Sequence, residues 1–201
     1  MPRPEPLTPD PDVFHLRSPA EVHRADGLFF GVFPDAATAA RIVRQGQALC
    51  EEHGLTGRLV AASRLHVTLV RLGEYEGLPP RLVALAEEAA ASIFASPFEV
   101  GFDQALSFHG RRGHRPFVLR GGEGGALADL RQALRTGMIR ARLRSWAAPR
   151  FTPHMTLLYD PRLIPAQPIA PIRWTVREFV LVHSLLGRTR HIPLGRWRLT
   201  E

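Results

Sequence analysis

The segments that decide the fold are residues 65–69, with the sequence Leu-His-Val-Thr-Leu, and residues 153–157, with the sequence Pro-His-Met-Thr-Leu. Each segment lies in a short apolar run typical of a buried β-strand. Side chains two positions apart in a strand point to the same face, so the histidine and the threonine of each segment share a face. The apolar residues between them point to the opposite face. The repeat therefore predicts two similar strands that each present a histidine and a threonine away from the core.

Alternating apolar patterns and turn residues predict the other elements outward from these two strands. An aspartate at position 35 and a glycine at position 54 suit the N-cap and the C-terminal end of the first helix. Residues 161–171 hold four prolines and are predicted to form a connecting loop, and the last strand is predicted to be an edge strand. The pattern predicts helices over 35–53, 80–94 and 125–143, and strands over 28–33, 64–73, 98–108, 116–120, 151–159, 172–185 and 191–199. This mixed order favours an α+β fold with antiparallel sheets and helices on the outer faces.

The length and composition suit one folded domain after a short tail. Residues 1–26 are rich in proline and lack an apolar period, so we expect a flexible tail there. Residues 27–201 are expected to form a single domain, because 201 residues with 45% hydrophobic content can bury a core. The apolar runs are shorter than a membrane span, and the single cysteine cannot form an internal disulfide. We expect a cytoplasmic protein that acts as a monomer without contact to a membrane.

The charge balance excludes several kinds of chemistry. The formal net charge is +7, and all 26 basic residues are arginines, so the chain contains no lysine. A Schiff-base lysine, a P-loop lysine and a covalently adenylated lysine are therefore excluded. An excess of arginine favours anionic partners, since the planar guanidinium binds phosphate through two parallel hydrogen bonds.

The two histidine-threonine pairs suggest chemistry at phosphorus. Two imidazoles that face one cleft can act as acid and base near neutral pH, because their unperturbed pKa lies near 6.5. We expect His66 and His154 to take these roles, and the hydroxyls of Thr68 and Thr156 to donate hydrogen bonds to phosphate oxygens. No cluster of cysteine, histidine and aspartate occurs at metal-ligand spacing, so neither a metal nor another cofactor is expected.

In these two motifs the chain resembles the two-histidine (2H) phosphoesterases, and among them the 2′-5′ RNA ligase and RNA 2′,3′-cyclic phosphodiesterase family. Both His-x-Thr-Leu motifs carry the resemblance, which extends over about residues 27–200, with supporting matches at 28–35, 151–153 and 174–184. The resemblance implies two pseudo-symmetric lobes of antiparallel sheet with outer helices around a central cleft. It also implies hydrolysis of RNA 2′,3′-cyclic phosphate ends to 2′-phosphates without metal or ATP, and 2′-5′ ligation as the reverse reaction.

One departure from the family pattern concerns the phosphate contacts. Relatives that act on RNA ends often carry an arginine shortly after the second motif, whereas this chain has Leu-Tyr-Asp at positions 158–160. Another arginine would then have to contact the phosphate. The residues proposed as substrate contacts are Arg71, Arg115, Arg150 and Tyr159.

The sequence leaves the substrate and the direction of proton transfer open. A small cyclic nucleotide, such as an ADP-ribose cyclic phosphate or a 2′-5′ oligoadenylate, is an alternative to an RNA end. A further alternative is a protein that binds RNA without turnover, which predicts strongly salt-dependent affinity. Either histidine is suited to be the base, with the other as the acid.

Overall fold

The structure is a computed structural model that describes residues 26–111, 113–122, 124–143 and 151–200. Within these residues the chain forms eight strands, three α-helices and a 3₁₀ turn. The strands are β1 Asp26–Val32, β2 Val67–Tyr75, β3 Phe98–Ser107, β4 Arg115–Gly121, β5 His154–Asp160, β6 Gln167–Val176, β7 Glu178–Leu185 and β8 Arg190–Arg198; the helices are α1 Ala36–His53, α2 Pro80–Ala91 and α3 Ala126–Arg140, and the 3₁₀ turn is Ala62–Arg64.

The strands form two four-stranded sheets in which every pairing is antiparallel. The first sheet has the order β2-β1-β7-β8, and the second has the order β5-β4-β3-β6. The α+β prediction is therefore confirmed. Each motif strand, β2 or β5, is an edge strand of its own sheet, and the two edge strands contact each other. The fold thus brings the two repeated motifs together at the junction of the sheets.

Helix α1 shows how local sequence sets the element boundaries. The side chain of Asp35 accepts hydrogen bonds from the backbone N–H and the hydroxyl of Thr38, both at 2.8 Å. These bonds satisfy a free donor of the first turn. Gly54 ends the helix in the left-handed conformation, with φ of 59°, where a side chain would be strained. The predicted N-cap and C-terminal glycine are both confirmed.

The prediction of one long strand over 172–185 is wrong. The chain forms β6 and β7 instead, which are separated by Arg177 and belong to different sheets. The prediction of a loop over the whole of 161–171 is also wrong, because β6 begins at Gln167 and includes Pro168 and Pro171. Strand β6 lies at a sheet edge, where a residue without an N–H does not break a ladder.

Two further boundaries differ from the predictions. The strand predicted from position 64 begins at Val67, because the residues before it form the 3₁₀ turn. The tail predicted for residues 1–26 lies outside the described residues except for Asp26, which is the first residue of β1.

A continuous hydrophobic core includes residues from both sheets and from all three helices. Its largest fully buried side chains include Phe30, Phe102, Phe117 and Phe179. Val67 and Met155, which follow the motif histidines, are fully buried in it, as predicted. Across the described residues, the structure has no helix long and apolar enough to cross a membrane.

Candidate active site

The two motif strands share the same irregularity. In the β1–β2 pairing, Thr68 pairs with Gly31 and Val70 with Phe30, so that Leu69 is an extra residue. In the β4–β5 pairing, Leu157 is the extra residue in the same place. A β-bulge of this kind reverses the alternation of the strand beyond it. As a result the residue five positions after each motif histidine is brought toward the face of the histidine and threonine.

The residues brought to this face by the bulges are Arg71 and Tyr159. Each is partly buried, whereas the two residues before it are fully or almost fully buried in the core. The two strands therefore present equivalent sets, namely His66, Thr68 and Arg71 on β2 and its approach, and His154, Thr156 and Tyr159 on β5. The sets differ in their last member, an arginine in one lobe and a tyrosine in the other.

Both motif histidines are held by the same backbone contact. The Nδ1 atom of His66 lies 2.7 Å from the carbonyl oxygen of Arg64, and that of His154 lies 2.8 Å from the carbonyl oxygen of Thr152. A carbonyl can only accept a hydrogen bond, so each Nδ1 carries a proton and donates it. This contact fixes the tautomer, so that Nε2 is the basic nitrogen of each neutral ring.

The His66 ring lies among other rings. Its centroid is 4.7 Å from that of Phe29, 5.7 Å from that of Phe33 and 5.1 Å from that of His191. Burial, together with the positive charges of Arg64 and His154, lowers the pKa of His66 to about 4. The Nδ1 hydrogen bond opposes this shift without overcoming it. His66 is therefore neutral at pH 7.

His154 also has an aromatic neighbour. The ring of Phe108 packs edge-on against it, with centroids 4.9 Å apart. A charge on His154 acts on His66, which places the two imidazoles in one electrostatic environment. A neutral His66 can serve as the base of an acid–base pair with the second imidazole.

Tyr159 interacts with Thr156 of the second motif and with the charges of Arg64 and Arg71. Its hydroxyl hydrogen-bonds the side chain of Thr156, and its ring stacks on that of His114 with centroids 4.3 Å apart. Burial raises the pKa of Tyr159, while the charges of Arg64 and Arg71 oppose the rise. Tyr159 therefore remains a neutral hydroxyl that can donate a hydrogen bond.

The structure separates the predicted arginine contacts. Arg71 lies near Tyr159 and forms an ion pair with Glu74. In the β4–β5 register Arg115 lies opposite Asp160, at the end of β5 away from His154. Its side chain donates a hydrogen bond to the carbonyl of Pro161. Arg115 is therefore not brought together with the histidines. Arg150 lies outside the described residues.

Two residues of the site were missed by the sequence analysis. Arg64 acts electrostatically on His66, His191 and Tyr159. His191 comes from β8, at the opposite edge of the first sheet, and burial lowers its pKa to about 3. Arg64 could have been found from its position two residues before the first motif. His191 carried no such signal, because neither motif nor spacing connects it to His66.

The described part of the chain contains no group of three or more histidine, cysteine, aspartate or glutamate side chains placed to hold a metal ion. The arrangement instead provides two histidines held through Nδ1 by backbone carbonyls, two hydroxyls and nearby arginines. These groups can move protons and bind an anion.

Comparison with known proteins agrees with this geometry. The family model of the 2′-5′ RNA ligase superfamily matches residues 33–188. The RNA 2′,3′-cyclic phosphodiesterase of Escherichia coli K12 is 35% identical over 152 residues, which cover 72% of this chain and 81% of that protein.

Solved structures give the same result. E. coli LigT in complex with ATP superposes with a TM-score of 0.67 at 30% identity, covering 88% of this chain and 99% of LigT. LigT in complex with 3′-AMP gives a TM-score of 0.65 at 29% identity, covering 89% and 99% of the two chains. The resemblance inferred from the motifs is confirmed: the chain belongs to the 2′-5′ RNA ligase superfamily.

Proposed function

We propose that this protein hydrolyses 2′,3′-cyclic phosphate ends of RNA, with His66 as the general base and His154 as the general acid. The observation that carries the proposal is the matched pair of Nδ1 contacts to backbone carbonyls, which makes Nε2 the basic nitrogen of each neutral ring. The family and the activity named for the E. coli relative support the same reaction class.

The direction of proton transfer follows from the pKa of His66. At about 4, this pKa leaves the ring neutral and able to accept a proton from water at pH 7. The water oxygen then forms a bond to phosphorus while the bond from phosphorus to the 3′ oxygen breaks. Protonated His154 gives its proton to that departing oxygen, so the product is a 2′-phosphate beside a 3′-hydroxyl. Proton exchange with solvent restores both rings.

The threonines and the tyrosine are suited to hold the phosphate during this displacement. Thr68 and Thr156 stand two residues after the histidines on the same face of their strands, so a phosphate between the rings lies within reach of both hydroxyls. Hydrogen bonds to the phosphate oxygens stabilise the charge that accumulates there during attack. The hydrogen bond between the side chains of Tyr159 and Thr156 orients the second of these hydroxyls.

Two other substrates use the same machinery. A 5′-hydroxyl in place of water would give 2′-5′ ligation by the same displacement, with the 5′ oxygen bonding to phosphorus and the 3′ oxygen departing. A small cyclic nucleotide is favoured by the replacement of an arginine by Tyr159 after the second motif, since this removes one cation expected to contact an RNA phosphate. Competition between an RNA with a cyclic phosphate end and a cyclic mononucleotide separates these substrates.

The decisive experiment measures turnover of an RNA with a 2′,3′-cyclic phosphate end in excess EDTA. The wild type should convert it to a 2′-phosphate. His66→Ala and His154→Ala should each do so at a rate far below that of the wild type. A matched control is His109→Ala, an exposed histidine of the β3–β4 connection, which should keep wild-type activity. RNA binding without turnover at any pH would instead support the non-catalytic alternative.

A further inference from the structure

The second motif strand contains no arginine after His154, and Tyr159 lies five residues after this histidine. A tyrosine hydroxyl can donate one hydrogen bond but brings no charge to a phosphate dianion. The cation must therefore come from elsewhere in the cleft if the site binds phosphate tightly. Two arginines of the first lobe, Arg64 and Arg71, act on Tyr159 through their charge.

Arg71 is the less suitable of the two. Its guanidinium already forms an ion pair with Glu74, and its side chain is 41% exposed. A paired and solvated arginine gains less from an added anion, because the carboxylate already neutralises its charge. Its position on β2 still allows it to contribute to the field of the cleft.

Arg64 has the opposite environment. It is the last residue of the 3₁₀ turn, and its backbone carbonyl accepts the hydrogen bond from Nδ1 of His66. Its side chain is partly buried, and among the described residues it has no carboxylate partner. Its charge reaches His66, His191 and Tyr159, which lie on the 3₁₀–β2 connection, on β8 and on β5. Arg64 therefore acts electrostatically on residues of both sheets.

The Nε atom of Arg64 is buried and has no hydrogen-bond partner among the described residues. An unsatisfied buried donor destabilises a protein by about 1–3 kcal/mol, more when it is charged, so such groups are rare without a functional reason. Nε and one Nη of a guanidinium form an edge that matches two oxygens of a phosphate. A phosphate placed between the motif histidines would supply the missing acceptor.

We propose that Arg64 is the phosphate-binding cation of this cleft. The ligand class is a phosphomonoester or a cyclic phosphodiester, held along the Nε edge of Arg64 and by the two motif threonines. This inference rests on the proposed function, since it assigns the phosphate subsite of the same site. It locates the charge on the first lobe, beside His66.

Binding and catalysis are tested separately. The probe is adenosine 2′-monophosphate, whose binding is measured by isothermal titration calorimetry for the wild type, Arg64→Gln, Arg64→Lys and Arg41→Gln. Arg41 is a matched control because it lies exposed on α1. Arg64→Gln should bind about tenfold to a hundredfold more weakly, which corresponds to the loss of a charge-assisted hydrogen bond. Arg64→Lys should recover part of this loss, because lysine keeps the charge but cannot bind through two parallel hydrogen bonds.

A second readout distinguishes a phosphate ligand from a merely structural arginine. The groups around His66 that carry or can carry charge are Arg64, His154 and His191, and the packed rings of Phe29 and Phe33 are neutral. Removing the charge of Arg64 should raise the pKa of His66 in an NMR titration, and adding the nucleotide should raise it in the wild type. Unfolding temperatures of the four proteins show whether any variant has lost its fold.

The outcomes separate the two proposals. Equal nucleotide affinity of folded Arg64→Gln and wild type would overturn the assignment of Arg64, even if the enzyme hydrolyses cyclic phosphates. A wild type that binds the nucleotide through Arg64 but never hydrolyses a cyclic phosphate would overturn the proposed function and leave the phosphate subsite standing. Weaker binding by Arg41→Gln to the same degree would show a general charge effect and would also overturn the assignment.

Discussion

The imidazole of His191 packs edge-on against that of His66, with ring centroids 5.1 Å apart and planes inclined at 79°. Both rings also contact the ring of Phe29. Burial is the largest cause that lowers the pKa values of both histidines, to about 4 for His66 and about 3 for His191. Two histidines that resist protonation in the folded state make both stability and activity depend on pH in a defined direction.

Stability should fall as the pH is lowered from about 6.5 toward 4. Below the ordinary histidine pKa of 6.5, the unfolded chain binds protons that folded His66 and His191 do not, so protonation favours unfolding. Thermal unfolding at pH 7 and pH 5 checks this. His191→Phe should reduce the difference between the two temperatures, whereas His109→Phe, at an exposed position, should leave it unchanged. An unaltered pH dependence in His191→Phe would contradict the expectation.

The acid limb of the activity profile should lie well below the ordinary pKa of histidine. If neutral His66 is the base, kcat/KM should hold as the pH falls through 6.5 and decline as it approaches about 4. The alkaline limb reports the acid, His154. A pH series of kcat/KM on a cyclic phosphate substrate gives both limbs. An acid limb that disappears in His154→Ala but persists in His66→Ala would reverse the assigned roles.

Removal of either motif histidine should lower the chemical step by about 10²–10⁴-fold, the usual range for a positioned acid or base. The effects of His66→Ala and His154→Ala should not add in the double variant, since both groups act on one transition state. Single-turnover rates for the three variants check this. If His66→Ala loses stability but keeps full turnover, His66 has only a structural role.

The threonine substitutions should have smaller effects than the histidine substitutions. Thr68→Ala and Thr156→Ala each remove one hydroxyl from the proposed phosphate site, which should cost about 1.5–3 kcal/mol of transition-state stabilisation. Thr68→Ser and Thr156→Ser should keep most of the activity, because serine retains the hydroxyl. The measurement is kcat/KM for the four variants. Equal losses in the serine and alanine variants would show that the methyl group, not the hydroxyl, matters.

Asp160 should be a structural residue despite its place beside the proposed site. Its Oδ2 accepts the N–H groups of Thr56 and Gly57 at 2.8 and 3.0 Å, and its Oδ1 accepts the N–H of Arg162 at 2.9 Å. These bonds lower the pKa of the carboxyl against the effect of burial. Asp160→Ala removes the acceptor of these three partly buried N–H groups.

The expected cost of Asp160→Ala is at least about 1–3 kcal/mol of stability, measured by urea unfolding. Asp103→Ala is the matched control, because Asp103 is exposed on β3 and its loss should change stability little. A fully stable Asp160→Ala variant would show that water replaces the carboxylate at these donors.

The sequence by itself determined the elements whose signals are local. The N-cap at Asp35 and the glycine at position 54 bound α1 because capping and the left-handed conformation depend on single residues. The alternation of apolar residues around His66 and His154 placed Val67 and Met155 in the core, and both are fully buried. The repeated motif was sufficient to indicate the family.

The tertiary structure alone decided which distant groups accompany the histidines. Bulges at Leu69 and Leu157 arise from pairing with β1 and β4, so simple alternation could not place Arg71 and Tyr159 near the motif face. The break at Arg177 arises because the chain passes from one sheet to the other there. No turn residue in the sequence marks this change. His191 lies on a strand that does not pair with the segment of His66. Its ring reaches that of His66 because both rings pack against Phe29. Local propensity acts over a few residues, whereas strand pairing and side-chain packing join positions that are far apart in the chain.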